Sequence, residues 1–191
     1  MRVIAGSAKG ISLQAVPGGT TRPISDRVKE ALFSILGDSI VGACVLDLFA
    51  GTGGVGIEAL SRGAEQAVFV DKNPKATTTI RANLQRTRLE AQACIVRADV
   101  FKYLGGQPEP FDLIYIAPPQ YLGLWSKTLL ALESHPGWLH PGGIAIAQIF
   151  PKELEPLALT TLRLTDQRRY GSTLLCFYES LHWQLSKVLP P

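Results

Sequence analysis

The sequence of 191 residues predicts an α/β protein with a mostly parallel sheet covered by helices on both faces. Beyond residue 45, short apolar runs rich in β-branched and aromatic residues alternate with segments of helical periodicity. The first run, Val45 to Leu48, passes through a glycine-rich turn straight into a helix, as strand–loop–helix units of such sheets do. This length suits about one domain with its own core.

The later elements follow from periodicity and from boundary residues. Gly63 is suited to end the first helix, and Asn73-Pro74 supplies a cap and a first-turn proline for the next one. The connection Gln167 to Ser172 is short enough for an antiparallel hairpin at a sheet edge. Strands are expected at Ala67 to Val70, Cys94 to Arg97, Leu113 to Ile116, Ile144 to Phe150, Leu162 to Asp166 and Thr173 to Tyr178, and helices at Ile57 to Arg62 and Tyr121 to Glu133.

Ahead of the main sheet, residues 1–40 are expected to form a small appendage. Val3 to Ala5 and Ile11 to Gln14 flank a turn of small residues and predict a hairpin. A helix capped by Ser25 follows, with an expected apolar face of Val28, Ala31, Leu32, Ile35 and Leu36. The remaining chain divides into a main domain, residues 41–180, and a tail, residues 181–191.

Composition restricts the classes of protein and of site. A hydrophobic content of 46% with 18% charged residues is typical of a globular protein, and no apolar run is long enough to span a bilayer. The first residues lack the pattern of a secretory signal, so we expect a cytoplasmic protein without membrane contact. Cys44, Cys94 and Cys176 have no metal-ligand spacing, and we expect buried, inert thiols and no metal site.

The pattern Gly51-x-Gly53-x-x-Gly56 indicates a nucleotide-type cofactor site. Glycine allows a tight turn whose backbone N–H groups, together with the N-terminus of the next helix, approach a ligand closely. The same spacing occurs in NAD enzymes and in enzymes that use S-adenosylmethionine (SAM), so the glycines alone leave both cofactors open.

Three acidic residues at successive strand ends bear on the cofactor. Asp71 is placed to bind ribose hydroxyls, which NAD and SAM both present. Asp47 lies near the end of the first strand, where an anion disfavours a pyrophosphate and suits the sulfonium and ammonium of SAM. Asp99 is suited to accept a hydrogen bond from an adenine amino group. A solvated cap is the alternative interpretation for each of them.

Basic residues cluster in two segments. Near the N-terminus they are Arg2, Lys9, Arg22, Arg27 and Lys29, and after Asp71 they are Lys72, Lys75, Arg81, Arg86 and Arg88. Such faces attract phosphate backbones, although a solvated helix face explains many charge runs. The distribution favours a nucleic-acid partner, and we expect Arg2, Lys9, Arg22 and Arg27 to bind RNA phosphates.

The order of the motifs resembles the RsmD-type family of small-subunit rRNA guanine-N2 methyltransferases. The match runs from Arg2 to about Ser180 and is most specific at Arg22-Pro23-Ile24-Ser25-Asp26-Arg27-Val28-Lys29-Glu30-Ala31-Leu32-Phe33. The resemblance implies a Rossmann-like fold with seven strands ending in the antiparallel hairpin, and an N-terminal hairpin that grips RNA. It implies SAM as cofactor and small-subunit rRNA, or a ribosome assembly intermediate, as partner. The expected SAM contacts are Asp47, Phe49, Ala50, Gly51, Thr52, Gly53, Gly56, Asp71, Lys72, Asp99 and Val100.

The sequence departs from the family at the base-binding motif. The family pattern is Asp/Asn-Pro-Pro-Tyr/Phe, and this chain has Ala117-Pro118-Pro119-Gln120-Tyr121. In the family, the first side chain and the next carbonyl hold the target amine, and the aromatic ring stacks on the base. Ala117 offers no acceptor, Gln120 can place an amide oxygen nearby, and Tyr121 comes one position late.

These residues leave three functions to weigh. The first is methyl transfer from SAM to the N2 amine of a guanine in small-subunit rRNA. The second is a SAM- and RNA-binding module that has weak or lost transfer because Ala117 replaces the usual acidic or amide residue. An NAD-dependent dehydrogenase is the third, and the charge of Asp47 disfavours it.

Overall fold

The structure, a computed structural model, describes residues 1–18 and 24–181 of the chain. The strands are β1 (Cys44–Leu48), β2 (Gln66–Val70), β3 (Ala93–Val96), β4 (Phe111–Ile116), β5 (Leu139–Ile149), β6 (Leu162–Tyr170) and β7 (Thr173–Ser180). The helices are α1 (Asp26–Leu36), α2 (Gly54–Ser61), α3 (Pro74–Thr87), α4 (Val100–Leu104) and α5 (Leu124–Ser134).

The fold class predicted from the sequence is confirmed. The described strands form a seven-stranded sheet in the order β3-β2-β1-β4-β5-β7-β6. Within it β1, β2 and β3 pair in parallel, as do β4 and β5, whereas β7 runs antiparallel to both β5 and β6. By its contacts the chain divides into two compact units, Met1–Val100 and a second that begins at Phe101.

In the N-terminal unit, α2 packs on β1 and β2 and is buried along its whole length. The N-terminal segment, residues 1–18, reverses direction as expected, but its strand pairing is limited to one antiparallel bridge between Arg2 and Ser12. The backbone N–H groups of Ile4 and Ala5 instead donate to the carboxylate of Glu58 on α2, at 2.8 and 3.0 Å. The Glu58 carboxylate therefore accepts hydrogen bonds that backbone carbonyls of a second strand would accept in a longer hairpin.

Helix α1 begins after Ser25, whose hydroxyl accepts from the Val28 N–H as predicted. The expected apolar face is wrong at one position, because Phe33 is buried and Ile35 is 42% exposed. Both choices are compatible with helical spacing, and the packing of the helix decides between them.

Lys29 is not part of an exposed basic face, contrary to what its position among the N-terminal basic residues suggests. Its side chain is fully buried, its Nζ lies 3.2 Å from Glu58 Oε2, and it donates to the Arg2 carbonyl at 2.6 Å. Burial lowers the pKa of Lys29, and the adjacent Glu58 opposes that shift. Lys29 and Glu58 both bond the backbone of the N-terminal segment and so anchor it. Removing either side chain would leave the other charge buried without a counter-ion.

In the C-terminal unit, three boundaries differ from the sequence expectation by three residues or more. Strand β5 begins at Leu139, five residues earlier than expected. Strand β6 continues through Tyr170, so the hairpin turn consists of Gly171 and Ser172 only. Helix α5 begins at Leu124 rather than Tyr121, because Tyr121 and Gly123 both have positive φ, at 62° and 61°, and cannot start a right-handed helix.

The expectation of three buried cysteines is wrong for two of them. Cys176 is buried, and burial raises the pKa of its thiol to about 11. Cys44 is only half-buried, and Cys94 is exposed because β3 lies at an edge of the sheet. A thiol on an edge strand keeps one side in solvent even when its strand pattern is apolar.

The described residues offer neither a membrane-spanning helix nor a cluster of metal ligands. Within residues 1–18 and 24–181, no helix is both long and apolar enough for a bilayer crossing. The same residues contain no group of three or more His, Cys, Asp or Glu side chains able to hold a metal ion.

Candidate functional site

The loop after β1 holds three residues in the left-handed region of backbone space. Phe49 has φ 59°, Gly51 φ 55° and Gly53 φ 75°. Glycine adopts this conformation without penalty, whereas the strain at Phe49 costs about 1 to 3 kcal/mol. Such strain persists only where the surrounding structure fixes the backbone, which is a common property of ligand-binding loops.

Gly56 is required for a different reason, the close approach of α2 to β2. A Cβ at this position would lie 2.3 Å from a ring carbon of Phe69. The third glycine of the pattern therefore lets the helix pack on the sheet, while the first two shape the turn.

Asp71 follows β2 as predicted, and its carboxylate holds the loop. One oxygen accepts from the Gly51 N–H at 2.9 Å, and the other accepts from the Asn73 N–H at 2.8 Å. The side chain is half-buried. Each carboxylate oxygen has a second lone pair, so hydroxyl groups of a ligand can still donate to it.

Asp47 is buried within the same loop region and accepts from the Gly56 N–H at 3.0 Å. Burial raises the pKa of Asp47 to about 8, the Gly56 hydrogen bond opposes the shift and the charge of Asp71 adds to it. Burial therefore disfavours the anionic form of this carboxyl in the folded protein. The charge argument for SAM over NAD rests on an Asp47 anion, and this burial weakens it.

Asn83 on α3 is a residue that sequence reasoning missed. It is fully buried, and its amide nitrogen donates to the carbonyls of Thr52 and Gln14 at 3.0 and 3.1 Å. Its oxygen accepts from the Gln14 N–H at 2.7 Å. Asn83 thus joins the glycine loop to the N-terminal segment. The only sequence signal for Asn83 is its position beside Ile80, Leu84 and Thr87, on the face of α3 that is buried.

The other expected cofactor residues differ in exposure. Ala50 and Thr52 are buried in the loop, and Lys72 is exposed after β2. Asp99 is exposed directly before α4, whose first residue, Val100, is buried. Contact of these side chains with a cofactor stays a prediction.

The segment Ala117–Tyr121 of the C-terminal unit is irregular and follows β4 directly. Ala117, Pro118 and Gln120 are half-buried, and Pro119 is exposed. The Tyr121 side chain is 65% exposed, and its ring leans on Phe150 with the ring centroids 5.5 Å apart.

Glu153 fixes this segment and was also missed. One carboxylate oxygen accepts from the Tyr121 N–H at 2.6 Å, and the other accepts from the Phe150 N–H at 3.1 Å. The carboxylate therefore ties the segment after β4 to the end of β5 and holds Tyr121 in its left-handed conformation. The short Pro151–Glu153 helix turn, with Glu153 three residues after Phe150, was the only local signal.

Of the four expected RNA contacts, three lie in described residues. Arg2 is exposed and lies 3.5 Å from Asp26 in an ion pair, while Lys9 and Arg27 are exposed. Arg22 lies outside the described residues, as does the expected tail except for Leu181. The Arg2–Asp26 pair neutralises part of the expected positive face.

Comparisons with known proteins add to this geometry. A family model described as "Conserved hypothetical protein 95" matches residues 1–179. "Putative rRNA methyltransferase YlbH" of Bacillus subtilis (strain 168) is 40% identical over 183 residues, covering 94% of this chain and 98% of that protein. "Ribosomal RNA small subunit methyltransferase D" of Escherichia coli (strain K12) is 34% identical over 139 residues, 73% of this chain and 69% of that protein.

A solved structure described as "Putative methyltransferase yhhF from Escherichia coli" superposes with a TM-score of 0.82. It is 31% identical in sequence, and the match covers 94% of this chain and 97% of that one. The similarity therefore extends over both compact units.

Proposed function

This chain belongs to the RsmD-type family of rRNA methyltransferases, and from that premise we propose that it methylates the exocyclic N2 amine of a guanine in small-subunit rRNA. The observation that carries the proposal is the loop after β1, where Asp71 holds the Gly51 backbone in a left-handed turn. That arrangement is the one a nucleoside cofactor needs at the end of a parallel strand.

SAM is the cofactor that we assign to this loop, and when bound it supplies an electrophilic methyl group. The residues present fit it, because Asp71 has acceptor capacity left for ribose hydroxyls and the exposed Asp99 can accept from an adenine amino group. The backbone of Phe49 to Gly53 provides the close approach, and Lys72 and Val100 complete the assigned contacts. The methyltransferase names of the relatives support SAM over NAD independently of the charge of Asp47.

For the base, we assign the Ala117–Tyr121 segment. The lone pair of a guanine amine is delocalised into the ring, and acceptors that orient its hydrogens help to free that lone pair for attack. Pro118 contributes a backbone carbonyl and Gln120 an amide oxygen, while the exposed Tyr121 ring offers a stacking surface. Glu153 acts through Tyr121 and is a positioning residue, because it bonds the backbone of the segment.

The RNA is assigned to the N-terminal segment and α1, through Arg2, Lys9, Arg22 and Arg27. Their cationic side chains suit phosphate oxygens. A guanine amine inside a duplex is out of reach, so the substrate presents an unpaired or flipped base, in free rRNA or in an assembly intermediate. We infer a cytoplasmic location, because that is where such a substrate is found.

The direct test uses recombinant protein, labelled SAM and ribosomal small subunits that lack the modification. We expect label to enter the small-subunit rRNA, with no transfer to fully modified subunits. Absence of transfer to undermodified subunits, in protein that binds SAM, would contradict the proposal.

A specific observation favours a second candidate, a SAM- and RNA-binding module without transfer. Ala117 occupies the position where the family has an Asp or Asn, and losing one oriented polar contact typically costs about a hundredfold to a thousandfold in rate. The Gln120 amide is the residue able to compensate.

Single-turnover rates at saturating SAM separate the two candidates, because they isolate chemistry from binding. If Gln120 compensates, Gln120→Ala removes most of the rate. Ala117→Asn raises the rate if the added amide only supplies the missing acceptor, and lowers it if the added side chain crowds the base. A Gln120→Ala enzyme as fast as the parent would contradict this role for Gln120. A parent that binds SAM and RNA but transfers nothing would establish the module.

A further inference from the structure

Helix α3 carries a set of exposed cations that the proposed function does not use. The set, the α3 cationic face, consists of Lys75, Arg81, Arg86 and the cap residue Arg88. Helix α3 itself contains no acidic residue, and the single acid between residues 72 and 92 is Glu90. The face therefore has a net positive charge along its whole length.

Five other lysines and arginines of the described residues form ion pairs, whereas the cations of the α3 cationic face form none with the described residues. Among residues 1–18 and 24–181, the ion pairs are Arg2–Asp26, Lys29–Glu58, Arg62–Glu58, Arg163–Glu179 and Arg168–Asp166. None of the described pairs involves the α3 cationic face. Unneutralised, exposed charge of one sign is what attracts a polyanion at long range.

The spacing of the face suits an extended anionic chain. At about 100° per residue, Lys75 and Arg86 point within about 20° of each other and lie about 16 Å apart along the axis. Arg81 lies about 120° from Lys75 around the helix. The exposed neutral residues Thr78 and Gln85 fall between these two flanks, so the cations border a shallow polar strip.

The face also continues from the N-terminal segment within the same compact unit. Asn83 binds both the N–H and the carbonyl of Gln14, which fixes the segment against α3. A Cβ at Gly18 would lie 3.9 Å from the Lys75 Nζ, so the segment reaches the start of the face. The segment that carries Arg2 and Lys9 thus leads to the α3 cations.

We propose that the α3 cationic face binds backbone phosphates of the rRNA substrate. This inference rests on the proposed function, since it deepens the assignment of the partner. Three of the four cations are arginines, whose planar fork matches phosphate oxygens. Ile80 and Leu84 of α3 are buried, so the exposed strip lacks the large apolar anchors typical of protein–protein interfaces.

The test compares two variants that each lose three positive charges. The first, Lys75→Gln/Arg81→Gln/Arg86→Gln, removes cations from the face with a residue that favours helix. The matched control, Arg163→Gln/Arg168→Gln/Arg169→Gln, removes three from β6, two of which are ion-paired. Affinity for unmodified small-subunit rRNA is measured as a function of salt, together with SAM affinity by calorimetry.

Each lost phosphate contact lowers the slope of log affinity against log salt by about 0.7 to 0.9, so the α3 variant should lose about 2 to 3. The control should keep the slope of the parent, and SAM affinity should be the same in all three proteins. An α3 variant with the parent slope, or a control that changes equally, would overturn the inference.

Two further outcomes separate this inference from the proposed function. Equal slopes on naked rRNA with weaker binding to the assembled subunit would assign the face to a protein partner and overturn the inference alone. A parent that shows no salt-dependent binding to rRNA and none to the unmodified small subunit would overturn the proposed function and the inference together.

Discussion

Two regions share a way of holding a strained backbone. They are the glycine loop of the N-terminal unit and the Ala117–Tyr121 segment of the C-terminal unit. Each contains a non-glycine residue in the left-handed region, Phe49 at φ 59° and Tyr121 at φ 62°. Each has a backbone N–H that donates to a carboxylate, from Gly51 to Asp71 and from Tyr121 to Glu153.

The two regions differ in what surrounds them. The residues from Gly51 to Gly56 are buried, and Asp47 and Asn83 support the loop from within the core. Tyr121 and Leu122 are mostly exposed, and the described backbone contact of Tyr121 is the one to Glu153. The glycine loop is thus fixed by packing and the Ala117–Tyr121 segment by a half-buried carboxylate, so the second should be easier to alter.

The largest expected effect is on the cofactor. Asp71→Ala removes the acceptor for Gly51 and the assigned ribose contact, each a charge-assisted hydrogen bond worth about 1.5 to 3 kcal/mol. SAM affinity should therefore fall by about tenfold to more than a hundredfold by calorimetry, with native circular dichroism. Glu65→Ala, which removes an exposed carboxylate of the same unit, is the control and should bind SAM like the parent. Unchanged affinity in Asp71→Ala would mean that the cofactor does not bind at this loop.

The next effect tests the other region. Glu153→Ala frees Tyr121 to leave its left-handed conformation, so methyl transfer should fall by about fivefold to tenfold, for a contact worth about 1 kcal/mol. SAM affinity should not change. Glu153→Gln keeps one acceptor oxygen and should restore part of the rate, whereas the exposed Glu155→Ala should have no effect. Loss of SAM binding in Glu153→Ala, or a parent-like rate, would show that the carboxylate does not position the segment.

A smaller effect concerns pH. The folded state holds the Asp47 proton more tightly than the unfolded chain, because burial raises its pKa to about 8. Between about pH 4 and pH 8 the folded protein binds the extra proton, so this group makes stability fall as pH rises.

Asp47→Asn keeps an oxygen that can accept from the Gly56 N–H, but its amide does not titrate. Its thermal midpoint should decline less than that of the parent from about pH 5 to about pH 9. Parallel profiles for the two proteins would mean that Asp47 titrates alike in the folded and unfolded chains.

The smallest effect is expected at Lys72. It is exposed at the rim of the loop region, so its assigned contact with the cofactor is screened by solvent. Lys72→Ala should weaken SAM binding by no more than about fivefold, which corresponds to about 1 kcal/mol. A loss of SAM affinity as large as that of Asp71→Ala would show that the cofactor contacts Lys72 as closely as it contacts the glycine loop.

The predictable parts of the molecule were those with local signals. The glycine loop, Asp71 after β2 and the cap Ser25 are each defined by neighbours a few residues away, and their positions were correct. The seven-stranded fold followed from the alternation of strands and helices and from the family resemblance.

The supporting residues could not be predicted, because their partners are distant in sequence. Glu153 bonds Tyr121 across 32 positions, and Asn83 bonds Gln14 across 69. Lys29 was expected in solvent, and its burial depends on Glu58, which lies in another helix. The raised pKa of Asp47 likewise depends on tertiary burial, which the sequence alone does not show.

The proposed methyl transfer to a guanine N2 amine requires the glycine loop to bind SAM and the Ala117–Tyr121 segment to bind the base, although position 117 is an alanine. The most direct measurement is a single-turnover reaction with labelled SAM on unmodified small subunits, followed by digestion of the rRNA to nucleosides. The account predicts label in one product, guanosine methylated at N2. Label in another nucleoside, or none at all despite SAM and RNA binding, would contradict it.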